Sequence, residues 1–79
     1  MSPTIMKYEK YRFFFNSREE TRKHIHIATA DGTAKFWLEP IIGLADYYNL
    51  SSKELKEIMS IIEDKKDDFI KEWERHFSQ

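Results

Sequence analysis

Residues 24–39 read His24-Ile25-His26-Ile27-Ala28-Thr29-Ala30-Asp31-Gly32-Thr33-Ala34-Lys35-Phe36-Trp37-Leu38-Glu39. The Asp31-Gly32 pair predicts a two-residue type I′ turn between two short strands, because both central residues of such a turn need positive φ. Counting outward from this turn pairs His24 with Glu39 and His26 with Trp37. The stretch is therefore predicted to be a β-hairpin.

The two faces of this hairpin differ sharply in chemistry, because successive side chains of a strand point to opposite sides of the sheet. One face is predicted to be core and gathers Ile25, Ile27, Phe36 and Leu38. The other gathers His24, His26, Lys35, Trp37 and Glu39. Only this second face offers groups from which a function can be inferred.

A third strand is predicted over residues 11–16, which are rich in aromatic side chains. Its alternation sends Tyr11, Phe13 and Phe15 to the core face and Phe14 to the other. The segment from Ser17 to Lys23 is wholly polar and is expected to form an exposed loop. Residues 3–6 are too short to decide between an edge strand and a lead-in.

Two helices are predicted after the hairpin. Pro40 ends the strand, because proline has no N–H to donate to a ladder, and a short helix is expected from Ile42 to Tyr48. A capping box at Ser51-Ser52-Lys53-Glu54 then begins a long helix that reaches Phe77. Its apolar positions keep one helical face: Leu55, Ile58, Met59, Ile62, Phe69, Ile70, Trp73 and Phe77. The stripe is thinnest at Lys65-Lys66, yet one continuous helix is expected.

These elements predict an α+β fold in one domain over residues 1–79. A small antiparallel meander of three to four strands packs against the long C-terminal helix, which the short helix precedes. The chain has no cysteine, so neither a disulfide nor a thiolate metal site contributes. It shows no secretory signal and no apolar run of the roughly 20 residues that a membrane span needs. We therefore expect a soluble, cytoplasmic protein.

Charge argues against nucleic acid as the favoured partner. The net charge is −1, with a balance of +2 over residues 1–40 and −3 over residues 41–79, whereas a nucleic-acid-binding domain is usually clearly basic. A local patch at Arg18, Arg22 and Lys23 leaves that class of partner open.

The His24-Ile25-His26 motif is the sharpest chemical feature. Residues i and i+2 of a strand point the same way, so the two imidazoles and Glu39 are candidate ligands for a divalent metal. With Arg22, the same residues are candidate catalytic groups of a small nuclease. The plainer interpretation is two half-exposed histidines, with His26 stacked on Trp37 and His24 bonded to Glu39. No cofactor is otherwise indicated.

Phe14 and Trp37 lie on the polar face, where an aromatic patch is typical of a contact surface. Together with Arg18 and Lys35 they are the candidate binding residues. The alternative is that the short helix or the N-terminus covers them.

Five segments together resemble one family: Tyr11–Ser17, His24–Ile27, Ala34–Leu38, Lys53–Leu55 and Phe69–Glu74. The likeness is to the small prokaryotic domains of unknown function called DUF4160, which often carry prolines where this chain has Arg22-Lys23. The resemblance implies a component of a toxin–antitoxin-like pair that binds a small protein partner, as toxin or as antidote.

Three functions follow as hypotheses. The first is a protein-binding module of such a pair. The second is a histidine- or metal-dependent nuclease built on His24, His26 and Glu39. The third is a structural homodimer that buries the second face of the sheet. The sequence leans away from an enzyme.

Overall fold

The computed structural model describes residues 4–16 and 22–77. Its elements follow one another as five strands and one helix: β1 Thr4–Tyr8, β2 Tyr11–Phe14, β3 His24–Ala28, β4 Thr33–Trp37, β5 Gly43–Tyr48 and α1 Ser52–Phe77. All neighbouring strands are antiparallel, and their order across the sheet is the order along the chain. The predicted α+β meander with a long C-terminal helix is confirmed, with five strands instead of three to four.

The hairpin formed by β3 and β4 has a different register from the predicted one. His24 pairs with Trp37 and Ile25 with Phe36, a shift of two residues from the register set by a two-residue turn. Residues 29–32 form the loop between the two strands, and Thr29 N donates across it to the carbonyl oxygen of Gly32 at 2.9 Å. The Thr29 hydroxyl also accepts from the N–H of Gly32 at 2.9 Å.

This register explains why the predicted faces survive although the predicted turn is wrong. The side-chain period of a strand is two, so a shift of two leaves every residue on its own face. No described glycine has positive φ, so the type I′ turn is absent at Gly32. Gly32 is instead required for space: a Cβ there would lie closer than 3.0 Å to the carbonyl oxygens of Tyr48 and Asn49.

The segment predicted as a short helix, Ile42–Tyr48, contains strand β5 instead. Its apolar residues matched a helical spacing, since a bulge at the β4 pairing disguises the alternation. Lys35 pairs with Asp46 and Phe36 with Leu44, which leaves Ala45 as the extra residue. Pairing with the free edge of β4 decided the conformation, as tertiary context often does for short apolar runs.

The core lies between the sheet and α1. The sheet supplies Tyr11, Phe13, Phe15, Ile25, Ile27, Ala34, Phe36 and Leu38, and the helix supplies Ile58, Ile62, Phe69 and Trp73, all of them buried. The Phe13 and Phe69 rings stack with centroids 5.5 Å apart. The Phe15 ring meets Trp73 edge-on at 5.3 Å.

The start of α1 is fixed by the predicted capping box. The Ser51 N–H donates to Glu54 Oε1 at 2.8 Å, and the Glu54 N–H donates to Ser51 Oγ at 3.1 Å. Lys10 Nζ, at the turn between β1 and β2, donates to Glu54 Oε2 at 2.6 Å. This hydrogen bond and those from Ser51 lower the pKa of Glu54 to about 2, because they stabilise the charged carboxylate.

A second polar contact ties the sheet to the helix. The Tyr11 hydroxyl donates to Glu57 Oε1 at 2.5 Å. Burial of the phenol and this hydrogen bond raise the pKa of Tyr11. The helix runs without interruption through Lys65-Lys66, as expected. Among the described helical residues, none forms a segment long and apolar enough to cross a membrane.

Candidate functional site

The face of the sheet that turns away from α1, here called the outer face, carries the residues singled out from the sequence. The side chains that strand register places on it include Lys7, Arg12, Phe14, Trp37, Lys35 and His26. Lys7 is exposed, and the other five are partly exposed. The separation of an apolar core face from a polar aromatic face is therefore confirmed.

A three-membered stack crosses β2 and β3 on this face. The Arg12 guanidinium lies over the Phe14 ring at 4.3 Å from its centroid. The Phe14 ring stacks on the His26 imidazole with centroids 5.5 Å apart and planes inclined by 23°. The amide of Asn16 lies 3.1 Å from His26 Nε2. The predicted stacking of His26 on Trp37 is thus replaced by stacking on Phe14.

Trp37 carries two cations instead. The Arg22 guanidinium lies 4.1 Å from the centre of its ring system, and Lys35 Nζ lies 4.7 Å from it. Attraction of a cation to the face of an indole holds such side chains flat against the sheet. Arg22 Nε also donates to the carbonyl oxygen of Glu39 at 2.8 Å, which fixes its position.

His24 is buried, although half exposure was the simplest expectation. Its side chain is 0% exposed and its ring lies between two indoles, with centroids 5.0 Å from Trp73 and 5.7 Å from Trp37. Its Nδ1 donates to the Arg22 carbonyl oxygen at 2.7 Å. Trp73, near the end of α1, seals this ring, which the hairpin pattern alone did not reveal.

The structure does not assemble the three candidate metal ligands. Glu39 lies beyond the end of β4, where its carboxylate accepts from Lys23 Nζ at 3.2 Å, and the expected pairing of His24 with Glu39 is wrong. Within residues 4–16 and 22–77, no group of three or more His, Asp or Glu side chains could hold a metal ion. The metal site stays a prediction that this geometry does not support.

The four candidate catalytic residues likewise have different surroundings and different partners. His24 is sealed beneath Trp73, whereas His26 borders an open surface. Arg22 packs on Trp37, and Glu39 is held by Lys23. Of the four, only His26 combines a titratable ring with access from the outer face. Arg18, a candidate binding residue, lies outside the described residues.

An open depression of about 270 Å³ lies beside the Phe14–His26 stack. The outer-face side chains at its border are Phe14, His26, Thr33, Lys35, Asp46 and Tyr48. It combines an aromatic wall, a cation and hydrogen-bonding groups.

A second surface was missed by the sequence analysis. Four large apolar side chains are exposed on β5 and the turn before it: Ile41 at 73%, Leu44 at 43%, Tyr47 at 52% and Tyr48 at 70%. The prediction of a helix from Ile42 to Tyr48 hid the position of Leu44, Tyr47 and Tyr48 on one edge strand. The aromatic and β-branched content of residues 41–48 was the signal that could have identified a strand.

The fold and these surfaces define a class: a small α+β domain whose meander sheet is covered on one face by a single helix and open on the other. The chain belongs to the family described as Domain of unknown function (DUF4160), whose model matches residues 11–74. Searches of curated proteins and of solved structures gave no match. The predicted family resemblance is confirmed.

Proposed function

We propose that this domain is a protein-binding module, one half of a toxin–antitoxin-like pair that acts in the cytoplasm. The observation that carries the proposal is the apolar cluster Ile41, Leu44, Tyr47 and Tyr48, here called the β5 surface. In the described part of the chain, these are four of the five large hydrophobic residues that are exposed. Clustered exposed apolar side chains are typical of protein interaction sites.

The geometry of β5 favours docking by side chains over simple strand addition. Leu44 and Tyr47 pair with the core-face residues Phe36 and Ala34 and so point to the helix side of the sheet. Both remain exposed there because α1 packs over the other strands. The bulge at Ala45 interrupts the regular pattern of backbone donors and acceptors, and bulged edges resist pairing with a further strand.

A site-specific photo-crosslinker in place of Tyr47 tests the proposal in the native host. The expected result is one crosslinked product whose mass exceeds that of this chain by the mass of a small protein. A crosslinker in place of Glu63, which is exposed on α1, should give no such product. Absence of a product at position 47, or equal products at both positions, contradicts the proposal.

Substitution at the same surface separates binding from folding. The double substitution Leu44→Ser and Tyr47→Ser should abolish co-purification of the crosslinked partner. The matched control is Tyr8→Ser, because Tyr8 is the fifth exposed large hydrophobic residue, at 50%, on the opposite edge strand. Co-purification that persists in the double variant contradicts the assignment to the β5 surface.

Two other predicted functions have less support. A homodimer would appear in the same experiment as a crosslink of this chain to itself. A nuclease built on His24, His26 and Glu39 would need the sealed His24 ring to reach a substrate. If His26→Ala abolished RNA cleavage by the purified chain while His24→Gln had no effect, His26 alone would be the group to pursue.

A further inference from the structure

We propose that the outer face binds single-stranded nucleic acid. Bases stack against the Arg12–Phe14–His26 stack and the Trp37 group, and phosphates contact the surrounding lysine and arginine side chains. This surface adjoins the β5 surface, since Tyr48 borders its depression. The residues tested here, Arg12, Phe14 and Lys35, are not part of the β5 surface, so the two proposals can fail separately. The inference rests on three observations: the segregation of charge, the arrangement of rings and the depression beside them.

Charge is segregated by the fold in a way that the net charge conceals. Within the five strands, the basic residues are Lys7, Arg12 and Lys35, and register places all three on the outer face. Arg22 adds a fourth cation by folding over Trp37. Asp46 is the only acidic residue of the five strands.

The helix carries the balancing anions. Residues 52–77 contain eight Asp and Glu against six Lys and Arg, a net charge of −2. These residues lie across the core from the outer face, with the sheet between them. A polyanion is therefore attracted more strongly to the outer face than to the helix side, although the whole chain has a net charge of −1. Local patches of this kind direct binding irrespective of net charge.

The rings lie on three neighbouring strands, Phe14 on β2, His26 on β3 and Trp37 at the end of β4. Adjacent β-strands are about 4.8 Å apart. A nucleic-acid single strand with unstacked bases can therefore cross all three rings. Open sheets with aromatic side chains bind single-stranded RNA by stacking its bases, on aromatic rings or on arginine guanidinium planes. The Arg12 guanidinium, which covers Phe14 at 4.3 Å, is such a plane.

The 270 Å³ depression supplies a place for one base beside this stack. Lys35 stands at its border with a cation for the adjoining phosphate. The hydroxyl of Thr33 and the carboxylate of Asp46 provide polar groups for a base edge. A duplex presents its phosphates and keeps its bases stacked inside, so it would use the cations but not the rings.

The experiment is fluorescence anisotropy of end-labelled 12-nucleotide oligouridylate and oligothymidylate with the full chain at 50 mM salt. We expect a Kd on the order of 10⁻⁵ M. Contact of four cations with phosphates predicts a slope of log K against log salt of about −3 for a single strand. A labelled 12-base-pair duplex should bind at least roughly tenfold more weakly if stacking contributes.

Two variants and one control identify the surface. Arg12→Ala with Lys35→Ala should weaken binding at least tenfold and halve the salt slope, to about −1.5. Phe14→Leu should weaken binding roughly tenfold without changing the slope, because it removes a stacking ring and no charge. Lys56→Ala with Lys71→Ala removes the same charge from exposed positions of α1 and should leave affinity unchanged.

The outcomes separate the alternatives. No binding at 50 mM salt overturns the proposal, as does an equal loss of affinity in the helix control or duplex binding as tight as single-strand binding. Circular dichroism of each variant shows whether it is folded. If Arg12→Ala with Lys35→Ala abolishes the crosslink at Tyr47 but not oligonucleotide binding, the outer face belongs to the protein partner instead.

Discussion

The two faces of the sheet are built from the same strands, yet they differ in almost every physical respect. On the helix side, Phe13, Ile25 and Phe36 are at most 2% exposed and pack into one core. On the outer side, Phe14 and His26 are partly exposed, and Phe14 is covered by the Arg12 guanidinium instead of by a helix. The comparison shows that aromatic chemistry alone does not place a residue in the core. Its position in the strand alternation, odd or even, decides which face it lies on and therefore what covers it.

The same contrast extends to the two histidines. His24 and His26 have the same parity, yet His24 is sealed by Trp73 whereas His26 borders the open depression. The difference arises at the sheet end, which the last turns of α1 overlap. The position of a residue in the strand alternation therefore assigns it to a face, and the packing of α1 decides whether that residue is covered.

The largest effect should come from adjacent phenylalanines. Phe13→Ala should lower the free energy of unfolding by about 3–5 kcal/mol, because it removes the ring that stacks on Phe69 and leaves a cavity. Phe14→Ala should cost only about 1 kcal/mol. Urea denaturation of both variants measures the difference. Equal losses would show that the two faces are buried alike.

The histidines provide the next test. His24→Ala should lower the free energy of unfolding by about 2–4 kcal/mol, because the ring is buried between Trp37 and Trp73 and bonds the Arg22 carbonyl. His26→Ala, on the open part of the face, should cost about 1 kcal/mol or less. The reverse order in thermal or urea denaturation would mean that His26 is the structural residue.

The two glycines form a matched pair for which the expected effects on stability are smaller. Gly32→Ala should destabilise by about 1–3 kcal/mol, because the added methyl meets the Tyr48 and Asn49 carbonyls. Gly43→Ala meets nothing within 4 Å, and it should be neutral or stabilise by about 0.4–1 kcal/mol by restricting the unfolded chain. Destabilisation by both, measured in urea, would mean that β5 is less open at Gly43 than the structure shows.

The smallest effect concerns the salt bridge at the helix start. The pKa of Glu54 is lowered from 4.5 to about 2 in the folded chain, so its charged form stabilises the fold above pH 4.5 and this contribution is lost as pH falls towards 2. Glu54→Gln keeps a capping side chain but loses the charge that binds Lys10. The variant should be slightly less stable than the parent at pH 7, and the gap should close by about pH 2.

That gap is measured by urea denaturation at pH 7, 4 and 2. The control is Glu72→Gln, since Glu72 pairs with Arg75 on the exposed side of the same helix. A gap for Glu54→Gln that stays constant across these pH values would mean that the lost interaction does not depend on the carboxylate charge.

Several features of the fold followed from local patterns. The alternation in residues 11–15 and 24–38 was sufficient to identify the core residues of β2, β3 and β4, and it tolerated an error of two residues in register. The capping box and the helical stripe were sufficient for α1. These signals are strong because each depends on residues close in sequence.

The candidate site was only partly predictable. Phe14, Lys35 and Trp37 were placed on the correct face, and the alternation of β2 also puts Arg12 beside Phe14. The contact of Arg22 with Trp37 was not predictable, because Arg22 lies outside the strands and no local pattern connects it to that ring. The β5 surface was missed, since the bulge at Ala45 makes a strand resemble a helical pattern. The burial of His24 depends on how far α1 extends over the sheet end.

The sequence by itself determined which side chains share a face, because strand periodicity is a local property of the chain. It also determined where the long helix starts, since the capping bonds join residues three apart. Only the tertiary structure decided that Arg22 folds over Trp37, that β5 pairs with β4, and which histidine is sealed. Those outcomes depend on contacts between residues far apart in the chain, and such contacts form only when the helix packs across the completed sheet.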